Sequence, residues 1–155
     1  AKRLASGDGR QPLTCAWDAP LVHDGSAWRV RTQADDLIAY AHAVQWARAE
    51  AGVTVALPGV PTVRFPTDVT GRGLLNGAVT RAQQASPPAG FRWQTGATSF
   101  VTLTPAQVIA AGIAVADYVQ GTFDTLDDVI ADILSGSITS TAQIVAAAWP
   151  DNHQA

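Results

Sequence analysis

The stretch Thr104-Pro105-Ala106-Gln107 constrains this chain more than any other. It sets Thr at the N-cap, Pro at the first helical position and Gln at the third. That is a capping box on a first turn whose φ the proline ring has already set. The helix it opens has a wide apolar face of Val108, Ile109, Ala111, Ile113, Val115, Tyr118 and Val119. The pattern predicts continuation past Gly121 through Leu126, Val129, Ile130, Ile133 and Leu134, with Gly136 as the stop just beyond the C-cap. A chain that commits this much length to one helix must build its core on it.

The rest of the sequence alternates short extended runs with helices. Residues 1–12 are polar and glycine-bearing and read as a flexible arm. Leu13–Trp17 and Ala27–Arg31 read as strands of a hairpin turning on His23-Asp24-Gly25-Ser26, with Arg29 and Arg31 alternating against Trp28 and Val30 as in a half-buried strand. A helix is predicted over Ala34–Ala51, opened by Thr32-x-x-Asp35, with Leu37, Tyr40, Val44, Ala47 and Ala51 on one face and Gly52 ending it. Val53–Leu57 and Val60–Phe65 flank Pro58-Gly59 as a second hairpin, and Pro61 and Pro66 confine its second arm to a sheet edge. Thr67-Asp68 precedes a shorter helix carrying Leu74, Leu75, Ala78, Val79 and Ala82, which stops before Pro87-Pro88. Phe91–Thr95 and Ser99–Thr104 form a third hairpin about Gly96-Ala97. After the long helix, Ser140-x-x-Gln143 starts a last one with Ile144, Val145 and Trp149, ending at Pro150. The order predicts an α+β fold: a helix-dominated single domain with small antiparallel β-hairpins and a long C-terminal helix. Residues 1–33 form an arm and hairpin suited to docking, and residues 34–150 form the domain.

Composition narrows the chemistry. With 155 residues, 10 Lys+Arg against 13 Asp+Glu and 47% hydrophobic residues, the chain can bury a real core. Its basic residues are too few and too scattered for a nucleic-acid surface, which works by counterion release from clustered Lys and Arg. The single cysteine, Cys15, excludes a disulfide framework and reads as a small buried hydrophobe. No run approaches the roughly 20 apolar residues that span a bilayer. The chain contains no Met, so residue 1 is either an Ala exposed by initiator removal or the start of a fragment.

No motif for catalysis or metal binding stands out. His153 lies in a polar tail, His42 on the flank of a core-facing stripe, and His23 beside Asp24 in a turn where the pair suits backbone capping. No nucleophile elbow or His-x-x-x-His pair occurs. Gly71-Arg72-Gly73 lacks the spacing of a phosphate cradle and reads as a loop entering a helix. Asp124, Asp128 and Asp132 share one helix face with Asp127 nearby, and they read as a solvated surface. No catalytic, cofactor or metal residue is assigned. Five tryptophans are many for this length. Trp46 and Trp93 are expected in the core. Trp17, Trp28 and Trp149, near the chain ends, either seal the core or anchor protein contacts.

The ordered set 34-ADDLIAYAHAVQWARAEAGV-53, 65-FPTDVTGRGLLNGAV-79 and 91-FRWQTGATSFVTLTPAQVIAAGIAVADYVQGTF-123 resembles an uncharacterised domain of bacteriophage and prophage tail-fibre and tail-assembly proteins. The resemblance rests on the Arg48/Glu50-Gly52 helix end, Thr67-Asp68 before a short helix, Phe91-x-Trp93 followed by a strand ending Val101-Thr102-Leu103-Thr104, and the helix with Val119 and Phe123. It covers about residues 34–149. It implies a structural or adsorption role in a phage tail tip, baseplate or fibre, with no catalytic residue to carry over. The implied partners are other phage tail or fibre proteins, with a homotrimer or attachment to a trimer as the arrangement. The implied location is the virion, after synthesis in the host cytoplasm. The chain lacks any fibrous repeat, which leaves a tail subunit, a docking domain or a fibre-assembly chaperone absent from the finished particle. Two other classes are a small hydrolase using His42 or His23 with Asp24, and a regulatory adaptor.

Overall fold

Thr104 caps the longest element of the protein in the manner its sequence predicts. Its Oγ1 accepts from the Gln107 amide at 3.3 Å, and Gln107 Oε1 accepts from the Thr104 amide at 2.7 Å. This computed structural model describes residues 21–23 and 25–154. The expected arm 1–12, the strand Leu13–Trp17, and Cys15, Trp17 and Asp24 lie outside them.

In chain order the elements are β1 (Leu21–His23), β2 (Trp28–Val30), α1 (Gln33–Glu50), β3 (Val53–Val55), β4 (Val63–Phe65) and α2 (Val69–Ala82). They continue with β5 (Phe91–Gln94), β6 (Phe100–Leu103), α3 (Pro105–Ser135), α4 (Thr141–Val145) and β7 (His153–Gln154). The fold is α+β, rich in helix, with small antiparallel hairpins. The chain divides into two compact units, Ala1–Gln33 and Ala34–Ala155.

In the first unit β1 pairs antiparallel with β2, Leu21 opposite Val30 and His23 opposite Trp28. The strand paired with Trp28–Val30 among the described residues is Leu21–His23, directly before the turn. The expected half-burial of β2 also fails, because all three of its residues are exposed. A two-stranded ribbon has no second layer of its own against which to bury a face.

The second unit has two cores strung along α3. Its N-terminal half buries Val108, Ala111, Val115 and Tyr118 against β3, β4, α2 and β6. Its C-terminal half buries Leu126, Val129 and Ile133 against Leu37 and Ala41 of α1, with Ile144 and Trp149 closing the cluster. Gly136 ends the helix at φ +82°, and its amide bonds back into the last turn. That left-handed conformation costs a residue with a Cβ about 1–2 kcal/mol.

Three local expectations change. Gly71-Arg72-Gly73 is not a loop but the first turn of α2, capped by Asp68 Oδ1, which accepts from the Gly71 amide at 2.6 Å. Glycine is required at 71 because a Cβ there would lie 2.5 Å from the Pro66 carbonyl oxygen. The buried face of α1 is Leu37, Ala41, Gln45 and Ala49, rotated from the expected stripe, so Tyr40, Ala47 and Ala51 are exposed. Trp46 turns outward with it at 53% exposure. His153, expected in a tail, lies in β7, which adds parallel to β3 in the order β4-β3-β7. β4 is an edge strand, as its flanking prolines require.

Candidate functional site

Several polar groups converge where α1 ends. A cleft of about 580 Å³ opens there, with Val44, Ala47, Arg48 and Ala51 on one side and Trp149 to Asn152 on the other, above Tyr118 of α3. Helix α1 stops at Glu50, and Gly52 turns the chain with φ +81° while its amide donates to the buried Thr67 hydroxyl at 2.8 Å. That turn exposes the C-terminal carbonyls of α1, which would otherwise lack partners. Tyr118, fully inside the core, donates its hydroxyl proton to the Arg48 carbonyl at 2.7 Å, and the Ala51 amide donates to the same oxygen at 3.1 Å. Arg64 of β4 donates to the Ala51 carbonyl.

Burial raises the Tyr118 phenol above its ordinary 10.0; the Arg48 and Arg64 charges pull it down, and Asp151 adds to the rise. The raised value favours the protonated phenol in the folded state. The stability it contributes is present below about pH 10 and is lost as pH climbs through the folded-state value. Tyr118→Phe removes both this alkaline loss and the bond to Arg48. It should cost about 1 kcal/mol at pH 7, with the gap to the parent protein narrowing above pH 10 in urea titrations.

The Arg48 guanidinium lies 5.5 Å above the Trp149 ring and donates one bond, of 3.3 Å, to the Val145 carbonyl. Trp149 is only 9% exposed and its indole N–H donates to the Ile144 carbonyl at 2.8 Å. Of its two sequence readings, sealing a core is the one the structure bears out. Its surface is too covered to anchor a large contact. Opposite it, Asp151 Oδ1 accepts from the His153 amide at 3.0 Å and lies 3.6 Å from His153 Nδ1.

The other expected residues are placed as follows. Trp28, in the first unit, is 69% exposed and meets the His23 ring edge-on at 5.2 Å. His23 Nδ1 accepts from the Gly25 amide at 3.2 Å, a local turn bond of the kind expected for it. His42 is exposed on the outer side of α1, and Trp93 is half-buried with its ring 5.1 Å from that of Phe65. Asp124, Asp127, Asp128 and Asp132 are all exposed, and no metal-holding cluster occurs among the described residues. No described helix is long and apolar enough to cross a membrane. The cleft itself escapes a one-dimensional reading, since its walls come from α1, α3 and the segment after α4. Only the closeness of Trp149 to Asp151 hints at it.

Residues 32–148 match the family described as a domain of unknown function, DUF4376. The chain belongs to this family. No curated protein and no solved structure matches it. The DUF4376 region runs from the start of α1 to just before Trp149, so it holds the first core, all of the second but Trp149, and leaves β1, β2 and β7 outside. The cleft is thus shared: α1 and Tyr118 come from the DUF4376 domain, while Trp149 to Asn152 follow it.

Proposed function

We propose that this chain is a non-enzymatic structural component of a phage tail tip, baseplate or fibre, held to neighbouring tail or fibre proteins through the β1–β2 hairpin. The observation that carries the docking role is the composition of one hairpin face. Directly opposed residues of an antiparallel pair project to the same side, and residues two apart along a strand do likewise. The register therefore puts Leu21, His23, Trp28 and Val30 on a single face. Leu21 at 58%, Trp28 at 69% and Val30 at 56% exposure make that face apolar and open. A ribbon of this size is marginal alone and gains its order from what it packs on. An exposed tryptophan amid aliphatic neighbours is the residue type that dominates such contacts. The tail setting is supported by the resemblance of residues 34–149 to phage tail-fibre and tail-assembly domains, and a three-fold arrangement follows from the same resemblance.

The test is mass spectrometry and antibody labelling of purified particles from a host encoding this chain, alongside a Trp28→Lys variant. The parent chain is expected at the tail. Trp28→Lys should keep the helical circular dichroism and bind its neighbour at least about 30-fold more weakly, so that it is lost from particles. Absence of the parent chain from particles overturns the virion role in favour of an assembly factor. Equal incorporation of the variant overturns the role of the hairpin face.

A further inference from the structure

We infer that the cleft at the C-terminal end of α1 binds an organic acid: one carboxylate on a short apolar stem, taken by Arg48. The reasoning begins with what Arg48 lacks. A guanidinium has five N–H donors in a planar fork that matches a carboxylate two bonds at a time. Arg48 is half-buried, yet the structure gives it one bond, of 3.3 Å, to the Val145 carbonyl. Among the described residues no carboxylate pairs with it, and Asp151 across the cleft is tied to His153 instead. The remaining donors border a space of about 580 Å³, within the range of small-ligand sites.

The end of a helix normally repels an anion through its free carbonyls. Here that repulsion is muted, because the Arg48 carbonyl accepts from Tyr118 and Ala51 and the Ala51 carbonyl accepts from Arg64. Arg64 also brings a second positive charge to the same end. Val44, Ala47, Ala51 and Pro150 give the cleft an apolar wall that suits a hydrocarbon stem, while Asp151 and Asn152 form its polar rim. The Trp149 ring, 5.5 Å from the Arg48 guanidinium, and the bond to Val145 restrain this side chain, so less of its freedom is left to lose on binding. This site is independent of the hairpin, which belongs to the other unit of the chain.

The experiment is isothermal titration calorimetry of the full chain with 3-phenylpropionate and with its neutral analogue 3-phenylpropan-1-ol, with the site located by NMR shifts of the Arg48 and Trp149 side chains. The acid is expected to saturate and to bind at least about tenfold more tightly than the alcohol, the usual margin of charge-assisted over lost bonding. Arg48→Gln should abolish binding. Arg48→Lys, which keeps the charge without the fork, should weaken it. Asp151→Asn should tighten it about threefold by removing an opposing charge at the rim. Tripeptides ending in phenylalanine, as free acid and as amide, identify the source of the carboxylate. A peptide acid that outbinds 3-phenylpropionate assigns the site to a chain terminus, and the reverse assigns it to a free acid; both uphold the inference. Equal binding of acid and alcohol, absence of saturable binding of any acid, or unchanged binding by Arg48→Gln overturns it. The acid-against-alcohol comparison on the parent protein stands even if a variant fails to fold.

Discussion

Phe65→Ala is expected to lower the unfolding free energy of the 34–155 unit by about 3–5 kcal/mol, the largest effect of any single truncation proposed for this protein. Phe65 is completely buried on the edge strand β4, opposite Val53, with its ring tilted 44° to that of Trp93 at 5.1 Å between centroids. It therefore joins the β3–β4 hairpin to the β5–β6 hairpin, two sheets that share no backbone bonds. Removing the ring opens a cavity between elements that cannot close over it without breaking the strand pairing. Phe65→Leu, which refills most of the volume, should cost less than half as much. Urea unfolding followed by far-ultraviolet circular dichroism measures both. If Phe65→Ala lost less than about 1 kcal/mol, the two hairpins would not be fastened through this ring.

The parts of the fold that were legible from sequence are those that depend on residues close together in the chain. Thr104 to Gln107 and Gly136 set both ends of α3 because caps use backbone groups within one turn. The turns at Pro58-Gly59 and Gly96-Ala97 were legible for the same reason. The face of α1 was not. Its alanines at 34, 39, 41, 43, 47 and 49 distribute apolar character all round the helix, so spacing alone gives no preferred side. The contacts on the buried side are remote in sequence: Leu37 and Ala41 pack on Leu126, Val129 and Ile133, and Gln45 meets Thr122, 77 residues away. That single rotation puts Trp46 in solvent and Ala41 in the core. β7 was illegible because a two-residue strand carries no periodicity, and its place comes from the Thr54 amide donating to the Asn152 carbonyl at 2.8 Å. The cleft shares this character. Arg48 and Asp151 are ordinary surface residues in sequence and become cleft residues only when Trp149 packs down on the C-terminal core.

The Gln45–Thr122 bond yields the second large expectation. Both residues are buried, Gln45 at 3% and Thr122 at 0% exposure. The Gln45 amide donates to Thr122 Oγ1 at 2.9 Å, and that hydroxyl donates onward to the Val119 carbonyl at 2.7 Å. Thr122→Val keeps the shape but leaves the amide donor without an acceptor, so a loss of about 1–3 kcal/mol is expected. Gln45→Leu removes the donor instead and leaves the hydroxyl its bond to Val119, so its cost should be about 1 kcal/mol or less. The double replacement eliminates the polar pair altogether, and its stability should fall within about 1 kcal/mol of the parent. A double-mutant cycle in urea therefore gives a coupling of at least about 1 kcal/mol, with the second substitution rescuing Thr122→Val. Additive losses would mean that the two side chains do not depend on one another. If the cycle shows the coupling and the double variant matches the parent, the pair adds little net stability of its own. The double variant should then retain both its fold and its buried face, because leucine in place of Gln45 extends the apolar row of Leu37, Ala41 and Ala49. Fluorescence of Trp46, read in a variant whose other tryptophans are replaced by phenylalanine, should stay red-shifted, and a blue shift would mean that the polar pair chooses the face of α1.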